Sequence, residues 1–294
     1  MKTPAAAAVF ACFHIAQIRR VPMTAKPIDQ MHEMPNRSIH AELAQGDKRA
    51  AGACPLMDEY ETRLTPARQR FDRHPSVAAL FRASLDPDTL EAFLIYFSAL
   101  GVGMTEPVEG WIRQAGRRCG EIGLSKLAKA LEAHAHQEAD HHLLMQADAN
   151  HLVDCWNASR QPGLSPAALL ALAPTKGVIA YRRLHEDVIA GPVPYSQLAI
   201  EFEIEMLSVA YGPRLIERCT EVLGSGILDA LSFLTDHVEL DVGHTHFNRL
   251  QLSSLLNENP SFLPDLVSAG SAALDAYAMF LDDCLSLGRG KFRP

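Results

Sequence analysis

The sequence predicts an all-α fold from about Asp58 onward, and three observations support this prediction. Residues that begin and end helices recur along the chain, helical periodicity fills the stretches between them, and no alternating β-branched run bounded by turn residues predicts a strand. The composition, 48% hydrophobic and 21% charged over 294 residues, is typical of a globular protein. We therefore expect one helical domain at residues 56–294.

Proline and glycine divide this domain into about seven helices. His74-Pro75 begins a helix that should reach Leu85. Asp86-Pro87-Asp88 supplies an N-cap and an early proline for a long apolar helix that includes residues 90–111. The other predicted helices are residues 124–157, a helix starting at Ser165-Pro166, residues 195–223, residues 227–256, and a last helix that follows Pro260 and Pro264 and ends near Leu287.

Residues 1–55 are predicted to be a disordered leader or tail. The Ala-rich run at residues 2–17 permits a secretory signal, but it contains His14 and Gln17 and is followed by Arg19-Arg20. Residues 24–53 mix polar residues, proline and glycine without periodicity.

Charge and cysteine usage exclude several classes of protein. The 27 Lys and Arg against 35 Asp and Glu give a net charge of −8, which argues against nucleic acid or an anionic membrane as a main partner. Six cysteines without a Cys-x-x-Cys pair argue against a disulfide scaffold and a thiolate metal site, so we expect a cytoplasmic protein. No apolar run reaches the 18 or so residues that span a bilayer.

The strongest functional signal is a polar stripe within residues 236–246. His237, Asp241 and His244 stand at i, i+4 and i+7, which places them on one face of a helix. Two imidazoles and a carboxylate that project together suit iron, manganese or zinc. The alternative is a hydrated face with a chance cluster, because the chain has 13 histidines.

A second signal lies within residues 134–142. Glu138 and His141 form Glu-x-x-His, a spacing that places a carboxylate and an imidazole on adjacent turns facing a bundle core. His142, at i+4 from Glu138, competes for the same role. A solvated helix surface is the alternative.

A third segment carries acidic residues on an apolar helix. Glu201 and Glu205 share a face at i,i+4, while Glu203 points elsewhere. Because a buried, unpaired carboxylate is very costly, a metal or a paired base is the natural partner. Glu205 at a merely polar edge is the alternative.

A fourth segment lies in the apolar helix that includes residues 90–111. Pro107 removes a helical hydrogen bond and should kink or bulge the helix, which would re-aim Glu106 or Glu109. A helix that ends at the proline with both carboxylates in solvent is the alternative.

Together these segments supply what a carboxylate-bridged dimetal site requires. Over residues 58–288 the chain resembles the heme-oxygenase-like diiron oxidases and oxygenases, often labelled iron-containing redox enzymes. In that family the last ligand helix carries His-x-x-x-Asp-x-x-His, the second segment can carry Glu-x-x-His, and the third carries a lone carboxylate. The predicted ligands are Glu106, Glu138, His141, Glu205, His237, Asp241 and His244, with Glu109, His142 and Glu201 as alternatives.

The resemblance implies a heme-oxygenase-like bundle that binds two iron ions, cycles between Fe(II) and Fe(III), and uses O₂ as co-substrate. Relatives of this kind oxidise amines, amino acids or fatty acids. The family's first glutamate would fall near Met104, so the assignment of Glu106 requires a local bulge at Pro107.

Other functions remain open from the sequence. A metal-free, thiaminase-like enzyme of the same fold would use acid and base groups in the cavity, and a non-catalytic metal-binding helical protein would store iron without turnover. A heme site would leave the buried carboxylates unexplained. The apolar last helix is compatible with a homodimer.

Overall fold

The structure, a computed structural model, describes residues 54–161 and 163–290, and these residues form no β-strand. The predicted leader, residues 1–55, lies outside the described residues except for Cys54 and Pro55, so it stays a prediction. The described helices are α1 (Pro55–Asp72), α2 (Pro75–Leu80), α3 (Pro87–Thr105), α4 (Val108–Glu121), α5 (Ser125–Gln137), α6 (His141–Ser159), α7 (Pro166–Leu170), α8 (Lys176–Ala190), α9 (Gln197–Leu223), α10 (Ser232–Glu258) and α11 (Leu263–Gly290), with 3-10 turns at Pro194–Ser196, Ser225–Ala230 and Pro260–Phe262.

Two of the predicted helix starts are confirmed by their caps, whereas the helix predicted to reach Leu85 ends at Leu80 and the helix predicted to start at residue 227 begins at Ser232. The Asp86 carboxylate accepts a hydrogen bond from the Thr89 N–H at 3.2 Å, and the Ser165 hydroxyl accepts one from the Ala168 N–H at 3.3 Å. A proline occupies the first turn after each cap, where its missing N–H costs nothing. The all-α class predicted from the sequence is confirmed.

Two of the predicted long helices are divided in the structure. The predicted helix that includes residues 90–111 stops at Thr105 and resumes at Val108, because Pro107 lacks an N–H for the helical ladder. The predicted helix at residues 124–157 stops at Gln137 and resumes at His141, across Asp140 with a left-handed φ of 66°. These breaks account for much of the difference between about seven predicted helices and the eleven described.

Packing around α11 organises the bundle. This helix contacts α1, α3, α8 and α9, while α10 contacts α9, α6 and α5. Gly177, at the start of α8, lies directly against α11, since a Cβ atom at this position would come within 2.4 Å of the Phe280 backbone. Only glycine permits so close an approach of the two helices. No helix in the described part of the chain is both long and apolar enough to cross a bilayer.

A buried ion pair joins α1 to α9. Arg68 donates two hydrogen bonds to Glu203, at 2.9 and 2.7 Å, and the Tyr60 hydroxyl donates a third at 3.1 Å. The Arg68 and Glu203 side chains are 6% and 0% exposed. Glu203 therefore faces α1, and its charge is satisfied by Arg68.

Candidate metal centre

Three stretches of helix bring a first cluster of metal-binding groups together. His134 on α5, Glu138 at its end, Glu205 on α9 and His244 on α10 each place one ligand atom within 4.8 Å of all the others. The Nε2 atom of His134 lies 3.3 Å from Glu138 Oε1 and 3.1 Å from Glu205 Oε1. The Nδ1 atom of His244 lies 3.1 Å from Glu138 Oε1 and 3.8 Å from Glu205 Oε1. The four groups thus converge on one point.

A second cluster consists of Glu138, His141 and His237, with ligand atoms again within 4.8 Å of one another. The Nδ1 atom of His141 lies 3.0 Å from Glu138 Oε2, and the rings of His141 and His237 meet edge to face with centroids 4.7 Å apart. The Nδ1 atom of His237 lies 2.8 Å from the Phe233 carbonyl oxygen. Donation of the Nδ1 proton to this carbonyl leaves the Nε2 lone pair free for a metal.

Glu138 belongs to both clusters. Its Oε1 atom faces His134 and His244, and its Oε2 atom faces His141. The break between α5 and α6 produces this arrangement, because Glu138 is the C-cap residue of one helix and His141 the first residue of the next. A carboxylate whose two oxygens face two sites has the position of a bridging ligand.

Neighbouring side chains hold the cluster residues in place. Asn248 donates a hydrogen bond to Glu205 Oε2 at 2.7 Å, so Glu205 Oε1 is the oxygen turned toward His134 and His244. Asp241 is buried and its Oδ1 atom lies 3.5 Å from His244 Nδ1, although Asp241 is in neither cluster. Such support from outside a ligand set is common in metal sites.

Unsatisfied polar atoms test whether this site fits a metal. His134 Nε2, Glu205 Oε1 and His244 Nδ1 are buried and make no hydrogen bond of acceptable geometry within the described residues. Buried polar atoms without partners are rare, because each carries a desolvation cost. A metal ion bound among them would satisfy all three, and their mixed nitrogen and oxygen character suits iron, manganese or zinc. The residues therefore fit a metal.

The electrostatics of the cluster are those of tightly coupled acids and bases. Burial lowers the pKa of His134, but Glu138 and Glu205 outweigh it and raise the pKa to about 11. Burial likewise lowers the pKa of His244, while Asp241 and Glu138 raise it to about 10. Burial raises the pKa of Glu138, yet contacts with three imidazoles hold it well below its usual range. Metal binding would therefore displace protons from these imidazoles.

Some of the predicted ligands lie apart from both clusters. Glu106 is exposed where α3 ends, and Glu109 forms an ion pair with Arg113 at 2.7 Å. This is a correction to the first ligand helix: Pro107 ends α3 where a bulge was expected, so neither carboxylate is turned inward. His142 is half-buried in the first turn of α6 and joins neither cluster, and Glu201 is buried outside them.

His134 is the cluster residue that sequence reasoning missed. A signal for it exists, because His134, Glu138 and His141 stand at i, i+4 and i+7. This is the same spacing as His237, Asp241 and His244. Two copies of one spacing on two segments would have indicated His134 as a candidate.

A cavity of about 140 Å³ lies beside the clusters. Cavities near this size accept a single aromatic ring in other proteins. The cluster residues on its wall are Glu138, Glu205 and His237, with Asp241 beside them. Much of the remaining wall is apolar, including Phe97, Met104, Met145, Leu207 and Phe280.

A further polar group lines the same cavity. Glu201 Oε1 accepts a hydrogen bond from Gln197 Nε2 at 2.5 Å, and this amide nitrogen also lies 2.7 Å from His185 Nδ1. Burial and the charges of Glu205 and Glu138 outweigh the opposing effects of His134 and Gln197, and raise the pKa of Glu201 to about 8. Tyr181 and Tyr277 stand on the cavity wall as well.

Comparison with known proteins identifies the fold. No protein-family model matches the chain, and no curated protein is significantly similar to it. A solved domain of unknown function with a heme oxygenase-like fold from Shewanella denitrificans is 15% identical, with a TM-score of 0.63, over 80% of this chain and 94% of that one. A CADD-like protein of unknown function from Nostoc punctiforme is 15% identical, with a TM-score of 0.56, over 78% and 97%. A TenA homolog from Pseudomonas syringae pv. tomato is also 15% identical, with a TM-score of 0.56, over 79% and 93%.

The chain therefore has the heme-oxygenase-like fold that the sequence predicted. At 15% identity these similarities show the fold and nothing about the chemistry. Fold and site together define an all-α protein with a cluster of His and Glu side chains that could hold a metal ion.

Proposed function

We propose that this protein is a non-heme diiron oxidoreductase that uses O₂ to oxidise a small organic molecule. The observation that carries the proposal is the position of Glu138, whose two oxygens face two different groups of ligands. Helical proteins that bind paired irons use bridging carboxylates in this way. When bound, two ferrous ions supply the electrons and the open coordination positions that O₂ chemistry requires.

The charges of the chain suit two divalent ions. Glu138, Glu205 and Asp241 bring three carboxylates to the site, and all three are largely shielded from solvent. Three negative charges offset most of the four positive charges of two ferrous ions. The imidazoles of the clusters contribute neutral nitrogen donors once their protons leave.

The cavity provides a place for the substrate. Its wall includes Glu138, Glu205 and His237, so a molecule bound there would lie against the metal ligands. The apolar side chains around it exclude water, which protects a reactive centre from side reactions. A small-molecule substrate fits this arrangement.

Anaerobic iron loading tests the proposal. Chain that is loaded with Fe(II), freed of excess metal by gel filtration and analysed for metal should hold about two irons. Exposure of that sample to air-saturated buffer in an oxygen electrode should give O₂ uptake, and a Glu138→Ala variant should give none. Failure of correctly folded wild-type chain to retain iron would contradict the proposal.

Chelator treatment and an assay of organic turnover separate the alternatives. A metal-free, thiaminase-like enzyme would retain its turnover after treatment with a chelator. A non-catalytic metal-binding protein would hold iron but would show no O₂-dependent conversion of any organic molecule.

A further inference from the structure

The Met145 side chain extends from α6 to the backbone of α3 along the wall of the cavity. Met145 stands one helical turn after the cluster residue His141, is 2% exposed and lines the cavity. A Cβ atom at Gly101 would come within 2.7 Å of Met145 Cε and closer still to its Sδ atom. The Thr105 hydroxyl oxygen, also on α3, lies 3.9 Å from the same sulfur. Met145 therefore occupies space on α3 that is open because residue 101 has no side chain.

Met145 is a part of the wall that can move. Methionine is unbranched and has three rotatable bonds, whereas the neighbouring wall residues Phe97 and Phe280 are rigid rings that pack on each other with centroids 5.7 Å apart. Protein interiors are close-packed, so a side chain that is displaced moves into the open space beside it. For Met145 that space is the cavity.

A second glycine of α3 shows that the close approach is specific to position 101. Gly103 is not among the described residues that line the cavity, and the nearest neighbour of a Cβ atom there would be Val178 Cγ1 at 3.8 Å, an ordinary contact. A methyl group at position 103 therefore displaces nothing, whereas at position 101 it takes the space that Met145 holds. Both positions lie in the same helix, so the two substitutions share any effect on helix propensity.

We propose that Met145, held against Gly101, sets the upper size of the apolar group that can lie beside the metal ligands. Glu138, Glu205 and His237 stand on the wall of the same cavity, whose volume of about 140 Å³ suits a single aromatic ring. This inference deepens the proposed function, and rests on it only in treating the molecule held there as the substrate. Met145 is thus a specificity-determining residue that acts by size.

Benzene and n-propylbenzene test the proposal in metal-free protein, because they probe the space without the substrate or iron. Calorimetric titration of the wild type should show benzene binding and no gain in affinity from the propyl group. Met145→Ala removes Cγ, Sδ and Cε, as many heavy atoms as the propyl group adds. This variant should therefore bind n-propylbenzene about 60-fold more tightly than benzene, or about fourfold for each carbon buried.

The reverse substitution should make the cavity smaller. Gly101→Ala should bind benzene about tenfold more weakly than the wild type or worse, because the displaced methionine takes up its space. The matched control Gly103→Ala should bind benzene as the wild type does. The double variant Gly101→Ala/Met145→Ala should regain benzene binding, since the new methyl group then has no methionine to displace.

Several results would overturn the size proposal: wild type that binds no benzene or prefers n-propylbenzene, a Met145→Ala variant without that preference, or equal benzene affinities in folded Gly101→Ala and Gly103→Ala. Leu143→Ala, at a 48% exposed position of α6, controls for loss of a large side chain and should keep the wild-type preference. If Met145→Ala fails to fold, the comparison of the two glycine variants still decides.

These outcomes are distinct from those that test the iron centre. The expected probe affinities without iron retention or O₂ uptake would refute the diiron function alone. Iron retention and O₂ uptake with probe affinities that ignore positions 101 and 145 would refute the size proposal alone.

Discussion

His134 Nε2 lies 3.1 Å from Glu205 Oε1, although the two residues come from α5 and α9. The contact is buried, with side-chain exposures of 0% and 8%. It joins α5 to α9 within the first cluster, to which Glu138 and His244 also belong. His134 is therefore as much a candidate ligand as the residues that the sequence indicated.

Replacement of His134 by alanine should remove iron from the first position. The variant loses a nitrogen donor that lies within 3.3 Å of two ligand carboxylates, so we expect the iron content after anaerobic loading to fall by at least one ion per chain. The control is His136→Ala on the same helix, since the His136 side chain is 70% exposed. Equal iron contents in the two variants, with helicity retained, would refute this role.

Glu138 and His237 should affect iron content differently. Glu138 belongs to both clusters, whereas His237 belongs to the second alone. A Glu138→Ala variant should therefore retain no tightly bound iron, and His237→Ala should retain about one ion per chain in the first cluster. Elemental analysis after gel filtration measures both, with Glu106→Ala as an exposed control that keeps the wild-type content. If His237→Ala loses both ions, the two positions are more strongly coupled than the geometry implies.

Replacement of Glu203 should lower the stability of the fold and leave the iron content unchanged. A Glu203→Gln variant leaves the buried Arg68 guanidinium without its counter-charge, which costs about 3 kcal/mol of unfolding free energy. The control Glu59→Gln breaks an exposed pair with Arg63 and should cost less than about 1 kcal/mol. Urea unfolding of metal-free protein measures both losses. Loss of iron from the folded Glu203→Gln variant would mean that Glu203 serves the metal centre.

His185 should make the protein less stable in acid. It is fully buried, its ring stacks on Trp111 with centroids 4.2 Å apart, and burial, only partly opposed by Gln197, lowers its pKa to about 3. In the unfolded chain a histidine has a pKa of about 6.5. As the pH falls from about 6.5 toward 3, the unfolded chain therefore takes up a proton that the folded chain does not, and stability declines.

Through His185 the free energy of unfolding should fall by about 2 kcal/mol between pH 7 and pH 5. Urea unfolding of metal-free wild type and of His185→Gln at both pH values isolates it, because the other titrating groups are common to the two proteins. The wild type should lose more stability than the variant by about this amount. Parallel losses in the two proteins would show that His185 becomes protonated in the folded state.

The sequence predicted the helical class because capping residues and proline act locally. Asp86 and Ser165 cap the helices that they were expected to cap. The residues His237 and His244 could be placed on one face by periodicity alone, and the structure brings both into clusters. Capping rules and helical periodicity were sufficient where the candidate residues lie on one uninterrupted helix.

The remaining features depend on where helices stop and on contacts between distant segments. Whether Pro107 bulges a helix or ends it is decided by packing, and this determined the exposure of Glu106. The break at Asp140 turns Glu138 toward two groups at once, and no periodicity argument contains that break. His134 needed its partner on α9 to be distinguished from His136, two residues later on the same helix.

The absence of a side chain at Gly177 determines more than local packing. Helix α8 carries Tyr181 and α11 carries Tyr277 and Phe280, so the spacing of these two helices positions three of the aromatic side chains that line the cavity. Even a methyl group at position 177 would force the helices apart, while every residue of the two clusters lies on other helices. Part of what sets the size of the cavity thus lies on helices that carry no residue of either cluster, and evolution or engineering can alter that part while the clusters are inherited unchanged.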